Sequence, residues 1–125
     1  MGIIIYRKLV IIGRYTLLKN RKEKKLLNKK DKLRLKLYER DGKKCHYCEI
    51  KEIDFISIWG KFYKMRGERL EIERKDNNKG YSEENCVLAC AICNNAKSDK
   101  FSYEEFKRVG RAIKKIWVLR KEIEF

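Results

Sequence analysis

At 125 residues the chain suits one domain with an added arm, able to bury a small core that a metal staple would strengthen. Apolar residues at 43% exclude a disordered composition, and no stretch approaches the roughly 20 apolar residues of a membrane span. With 33 Lys+Arg against 18 Asp+Glu the net charge is +15, and +12 of it falls in residues 1–44; this points to a polyanionic partner, usually nucleic acid, while a solvated helix face is the plainer reading.

Residues 3–15 read as one or two short strands or an apolar helix start, which periodicity does not separate. Arg7 and Lys8 interrupt the apolar run, which is too short for a secretory signal, so a reducing, cytoplasmic setting is expected. Leu17 to Arg40 has no Gly or Pro and is rich in Lys, Leu and Glu, a helix composition. Leu26, Leu33, Leu37 and Tyr38 form its apolar stripe, Asn28 and Asp31 divide it, Asp31 caps the second part and Gly42 ends it. Residues 53–63 predict a strand or hairpin, Leu70–Glu73 a strand, Asp76–Gly80 a turn, and Asn85–Ala89 a second short strand. A helix is expected after Cys93. Ser102 and Glu105 have the spacing of a capping box and open a last helix to about Arg120, with Phe106, Val109, Ile113, Ile116 and Trp117 on its apolar side.

Two Cys-x-x-Cys pairs, Cys45/Cys48 and Cys90/Cys93, dominate the chemistry. Each such turn places two sulfurs on one side of an ion, and two turns complete the four-thiolate tetrahedron that zinc prefers. A dithiol redox pair or ordinary core cysteines are the alternatives. The stretch 49–89 is long for a simple zinc ribbon and implies an inserted substructure. Cys86, on the second predicted strand, reads as a small buried side chain. His46, the only histidine, lies where the flanking cysteines already supply two ligands; it reads as an exposed knuckle side chain, with a ligand or base role as the alternative.

Several further elements follow in order: Arg40-Asp41-Gly42, Cys45-x-Tyr47-Cys48, an acidic residue in a strand, Gly80-Tyr81, Asn85-Cys86 and Cys90-x-x-Cys93-Asn94-x-x-Lys97. This pattern, over about residues 34–108, resembles the zinc-knuckle HNH nucleases of the ββα-metal fold. The resemblance implies an α+β fold built on a zinc-stapled ββα-metal finger; with it go a basic N-terminal arm of strand and helix over 1–32, read from composition and charge, and an HNH-like domain with a C-terminal helix over 33–125. It also implies roles. Glu73 would bind the catalytic ion, Asn85 would hold the catalytic loop, Asn94 would give a second ligand, and Lys97 would contact the scissile phosphate. Mg²⁺ or Mn²⁺ suits such oxygen donors. Arg74 stands where the family has its histidine base, and arginine does not accept a proton at ordinary pH. Asp76 is the candidate substitute base or extra ligand. The run Glu73-Arg74-x-Asp76-Asn77 before Gly80-Tyr81 is similar to a phage-type HNH subgroup, so Arg74 reads as a subgroup feature. The plainer readings are a surface ion pair for Glu73 and Arg74, a turn cap for Asn85, a helix cap for Asn94 and a solvated lysine at Lys97.

The expected function is a metal-dependent endonuclease hydrolysing DNA phosphodiester bonds, with a structural Zn²⁺, a catalytic Mg²⁺ or Mn²⁺, and a basic arm gripping phosphates. One alternative is a non-catalytic zinc-stapled module that binds DNA or RNA. Another is a zinc-stapled protein-interaction domain, which leaves the basic arm idle. No membrane partner is expected.

Overall fold

The computed structural model describes the backbone of residues 3–6, 9–12 and 15–18, and then residues 27–60 and 69–121. Strands β1 (Ile3–Tyr6), β2 (Leu9–Ile12) and β3 (Tyr15–Leu18) form an antiparallel sheet in that order, with Ile3 opposite Ile12 and Leu9 opposite Leu18. Their β-branched and aromatic content favours strands. Leu17 and Leu18, expected in a helix, belong to β3 instead, because strand pairing overrides a weak helical propensity. Leu26 lies outside the described residues.

Helix α1 (Lys29–Asp41) begins at Asn28, whose Oδ1 accepts the Asp31 N–H at 2.7 Å. The cap is therefore Asn28 and not Asp31; Asp31 sits in the first turn, where its charge faces the positive end of the helix dipole. Gly42 ends the helix with φ +80° and donates its N–H to the Tyr38 carbonyl at 2.9 Å. The expected division between residues 32 and 33 falls inside α1. Arg34, Leu37 and Tyr38, spaced three and four apart, are buried on one face.

The first knuckle follows, then a 3₁₀ turn (Glu52–Asp54) and helix α2 (Phe55–Trp59). The strand expected over 53–63 is thus helical as far as residue 59. Phe55 and Ile58 are buried while Ile53 and Ile56 are exposed, and Phe55 stacks on Trp59 with ring centroids 4.3 Å apart. That is a helical spacing, and over so short an apolar run it resembles alternation. Positions 61–63 lie outside the described residues.

Strands β4 (Glu71–Arg74) and β5 (Cys86–Ala89) pair antiparallel, Glu71 opposite Ala89 and Arg74 opposite Cys86. Helix α3 (Ala91–Lys97) packs on both strands. It starts before Cys93, so Cys93 and Asn94 lie within it and not ahead of it; Cys90 is the N-cap, its Sγ accepting the Cys93 N–H at 3.4 Å. Helix α4 (Tyr103–Lys121) opens with a reciprocal box: the Ser102 N–H donates to Glu105 Oε1 at 2.8 Å and the Glu105 N–H to Ser102 Oγ at 3.1 Å. Phe106 and Trp117 are buried and Val109 and Ile113 partly so, but Ile116 is half-exposed, since the residue before Trp117 points roughly 100° round the helix.

Leu37, Ile50, Phe55, Ile58, Leu70, Leu88 and Phe106 form the centre of the core, each contributing about 1.5–3 kcal/mol by burial. The Glu52 carboxylate is buried with them. Glu52 accepts the Tyr38 hydroxyl at 2.7 Å and the Leu70 N–H at 3.0 Å, and Arg34 donates to the Leu70 carbonyl, so α1 is tied to the chain entering β4. A Cβ at Gly110 would lie 2.5 Å from the Tyr47 carbonyl oxygen, which shows how closely α4 rests on the first knuckle. The architecture is α+β, a β4–β5–α3 finger with one cysteine pair ahead of it in sequence and the other at the start of α3. Among the described residues no helix is long and apolar enough to cross a membrane.

Candidate metal centre and adjoining site

The two knuckles meet. Cys45, Cys48, Cys90 and Cys93 are all buried, and their sulfurs lie within 4.8 Å of one another. Cys48 Sγ and Cys90 Sγ are 3.7 Å apart, against about 3.8 Å for the edge of a tetrahedron with the usual zinc–sulfur bond. Backbone N–H groups of Tyr47 and Cys93 reach Cys45 and Cys90 sulfur at 3.4 Å, the kind of donor that supports a thiolate. The His46 N–H to Leu88 carbonyl bond, at 2.8 Å, joins the first knuckle to β5. The donor set fits a structural Zn²⁺.

Charge supports the same conclusion. Burial opposes a thiolate at Cys45, but hydrogen bonds from Cys48, Cys90 and Cys93 outweigh it and hold Cys45 well below the ordinary thiol range. The bonds to Cys45 and Cys48 push Cys90 well up, and those to Cys45, Cys48 and Cys90 push Cys93 up. Four crowded sulfurs share protons because they cannot all ionise unaided; a dication removes that restriction. Cys86 is buried and not part of the group, and burial raises its thiol. His46 is an exposed side chain whose Nε2 lies 2.7 Å from the Tyr103 hydroxyl, so it is not a fifth donor; desolvation lowers its pKa in spite of Asp41 and Cys45.

Beside this centre lies the second set of predicted residues. Glu73 and Arg74 end β4, and side chains alternate along a strand, so Glu71 and Glu73 share a face. Asn94 and Lys97, three apart on α3, meet that face. Glu73 is 5% exposed and Lys97 1%, with Lys97 Nζ 2.6 Å from Glu73 Oε1. Tyr47 donates its hydroxyl to Glu73 Oε2 at 2.7 Å. Burial and that bond push the Tyr47 hydroxyl up, so it remains a donor. The ammonium of Lys97 supplies charge to Oε1 without an aligned hydrogen bond. Glu73 is thus no surface ion pair with Arg74, and Lys97 is no solvated lysine.

Asn94 is not a helix cap; its Nδ2 donates to Glu71 Oε1 at 2.8 Å. Asn85 spans the loop between the strands, accepting the Asp76 N–H at 3.1 Å and donating to the Asp76 and Gly80 carbonyls at 3.1 and 2.9 Å. Asp76 accepts the Asn78 N–H at 2.9 Å within that loop. Arg74 donates to the Lys79 carbonyl at 3.2 Å, and its guanidinium lies 4.9 Å from the Tyr81 ring centroid.

Glu71 and Tyr47 escaped the sequence reading as site residues. Glu71 was signalled by its place two residues before Glu73 on an alternating strand, and Tyr47 by its place inside the knuckle. Among the described residues the four cysteines are the one group of three or more His, Cys, Asp or Glu with metal-holding spacing. A divalent ion at Glu73 would therefore have fewer than three such side chains to hold it, with amide or water oxygens completing its shell. The chemistry of Glu73 Oε1, a buried oxygen lacking an aligned donor, is compatible with one.

No family model matches the chain. A solved structure of the rare-cutting HNH restriction endonuclease PacI, described in terms of DNA perturbation, is similar to it: 39% identical, with a TM-score of 0.56, covering 62% of this chain and 55% of that one. An uncharacterized protein, R423, of Acanthamoeba polyphaga mimivirus is 37% identical over 54 residues, 43% of this chain and 8% of that protein. The chain thus spans about half the length of the first and under a tenth of the second. The resemblance to zinc-knuckle HNH nucleases carried by its motifs extends to a solved HNH structure and to a four-cysteine site.

Proposed function

We propose that this chain is a DNA endonuclease of the HNH type, with a structural zinc in the four-cysteine centre and a cutting site on the β4–β5–α3 finger. The observation that carries this reading is the convergence of Glu73, Asn94 and Lys97 beside that centre, in a chain 39% identical to PacI over the shared region. Glu73 and Asn94 are the residues that would hold Mg²⁺ or Mn²⁺. Such an ion, when bound, supplies stabilisation of negative charge on the leaving oxygen.

The rest is done by the chain itself. Asn85 fixes the 76–80 loop and with it the end of β4. Lys97, whose ammonium lies 2.6 Å from Glu73 Oε1, would be the cation to face a phosphate oxygen at the site. Arg74 is a fixed positive charge and takes no proton. Asp76 holds one N–H of its own loop and is the remaining carboxylate there to accept the proton of an attacking water.

A second reading has its own observation. Arg74 at the position of the family's base, with Glu73 closed off by Lys97 and Tyr47, suits a module that grips DNA or RNA without cutting it. Plasmid nicking with Mg²⁺ or Mn²⁺ separates the two. Cleavage by the wild type, lost in Glu73→Ala and in Asn94→Ala with zinc content unchanged, is the expected result. Cleavage that persists in both variants removes the site assignment, and salt-sensitive binding with no cleavage under any divalent ion favours the second reading.

A further inference from the structure

Tyr81 is an aromatic side chain held in solvent, 55% exposed, at a point where the backbone is fixed. Asn85 bonds the Gly80 carbonyl and Arg74 bonds the Lys79 carbonyl, so both residues before Tyr81 are pinned by the finger. Two cations converge on its ring: the Arg74 guanidinium at 4.9 Å from the centroid and the Lys30 ammonium, from α1, at 5.6 Å. An aromatic face attracts cations, and here it brings together one from the finger and one from the basic helix.

Between α1 and this loop lies a cleft of about 550 Å³, lined by Lys29, Lys30, Lys32 and Lys36 along with Tyr81. Of its two carboxylates, Glu83 already pairs with Lys36 at 3.4 Å, leaving Glu84 against the remaining lysines. The lysines of α1 thus present a row of positive charge that meets Arg74, the last residue of β4, across the Tyr81 ring. A row of cations leading from a candidate cutting site matches a backbone of regularly spaced phosphates.

We propose that this cleft is a groove for a DNA backbone, which passes from the finger over Tyr81 and along α1, with Arg74, Tyr81 and Lys30 as its junction. This rests on the reading of the chain as a DNA-acting protein. In the groove Arg74 binds phosphate, which gives the residue at the base position a use that needs no proton transfer.

The test is fluorescence anisotropy with a labelled DNA duplex, free of divalent ions, over a range of salt. For Lys30→Ala the slope of log affinity against log salt becomes shallower by about 0.9, and for Lys30→Ala with Lys32→Ala by about 1.8. Tyr81→Ala, which removes the ring that positions Arg74 and Lys30, weakens binding, and Tyr81→Phe far less. Lys115→Ala, at an exposed lysine of α4 outside the cleft, leaves the slope unchanged. Zinc content and melting temperature confirm that each variant is folded. Wild-type binding that Lys30 and Tyr81 substitutions do not alter, or that Lys115→Ala alters equally, overturns the groove while leaving the DNA reading standing. Absence of salt-sensitive binding by the wild type overturns both. An acidic peptide that competes as well as DNA of equal charge overturns the assignment of DNA as the occupant.

Discussion

Lys97 and Glu73 differ from the other charged pairs among the described residues in having almost no water to fall back on. At 1% and 5% exposure they are held against each other at 2.6 Å. By contrast, Lys100–Asp99 at 3.8 Å is solvated on both sides and contributes little. Removing one member of a buried pair leaves a charge without compensation, so Lys97→Met is expected to cost about 3–5 kcal/mol, measured by urea denaturation. Glu73→Leu with Lys97→Met together should recover most of that loss. Equal losses in the single and double variants would show that the two side chains are not coupled. Both residues stand out in the sequence through the resemblance to the HNH pattern, Lys97 by its place four residues after Cys93. Their contact does not, since it depends on α3 starting at Ala91, which sets the direction of Asn94 and Lys97. The same shift sends Asn94 to Glu71, a partner 23 residues away that no local pattern indicates.

Elements whose ends carry their own chemistry are read most directly. The Ser102 and Glu105 bonds are a local matter of four residues, and they form as their spacing implies. Ser102→Ala should cost about 1 kcal/mol in a denaturant titration, since one N-terminal N–H loses its acceptor. Gly110 presents the opposite situation. Alanine there improves helix propensity by about 1 kcal/mol, but its Cβ would meet the Tyr47 backbone at 2.5 Å. Backbone does not yield as a side-chain tip does, so Gly110→Ala should be net destabilising by about 1–3 kcal/mol. A stabilised variant would mean that α4 can lift from the knuckle without loss. Nothing local in the sequence marks Gly110 as a point of contact, because the contact joins residues 63 positions apart. The helical α2 is hidden for another reason: five residues bearing Phe55, Ile56, Ile58 and Trp59 satisfy strand and helix patterns alike.

At the scale of the molecule, the core is small and the metal centre is part of it. Cys45, Cys48, Cys90 and Cys93 belong to the same buried cluster as Leu37, Ile50, Leu88 and Phe106. Stripping the metal should therefore unfold the β4–β5–α3 finger together with the first knuckle, seen as loss of helical circular dichroism on adding a strong chelator. A chain that keeps its spectrum after complete metal removal would show the hydrophobic core to be sufficient alone. The four ligands are legible because cysteine spacing is a strong signal in any fold. The tie between α1 and the chain entering β4 is not, as it depends on the buried Glu52 bonding Tyr38 and Leu70.

The four converging sulfurs also make the folded fraction a property of the surroundings. Once ligand is in excess of its dissociation constant, stability follows the logarithm of free ion concentration, so each tenfold fall in free zinc removes about 1.4 kcal/mol. Two samples of identical sequence, kept in media buffered to different zinc levels, would then melt at different temperatures. The Glu73 face, being braced by Tyr47 from within the first knuckle, would be present or absent with the ion. Availability of a trace metal would in that way switch the Glu73 face on, without any change to a residue on that face.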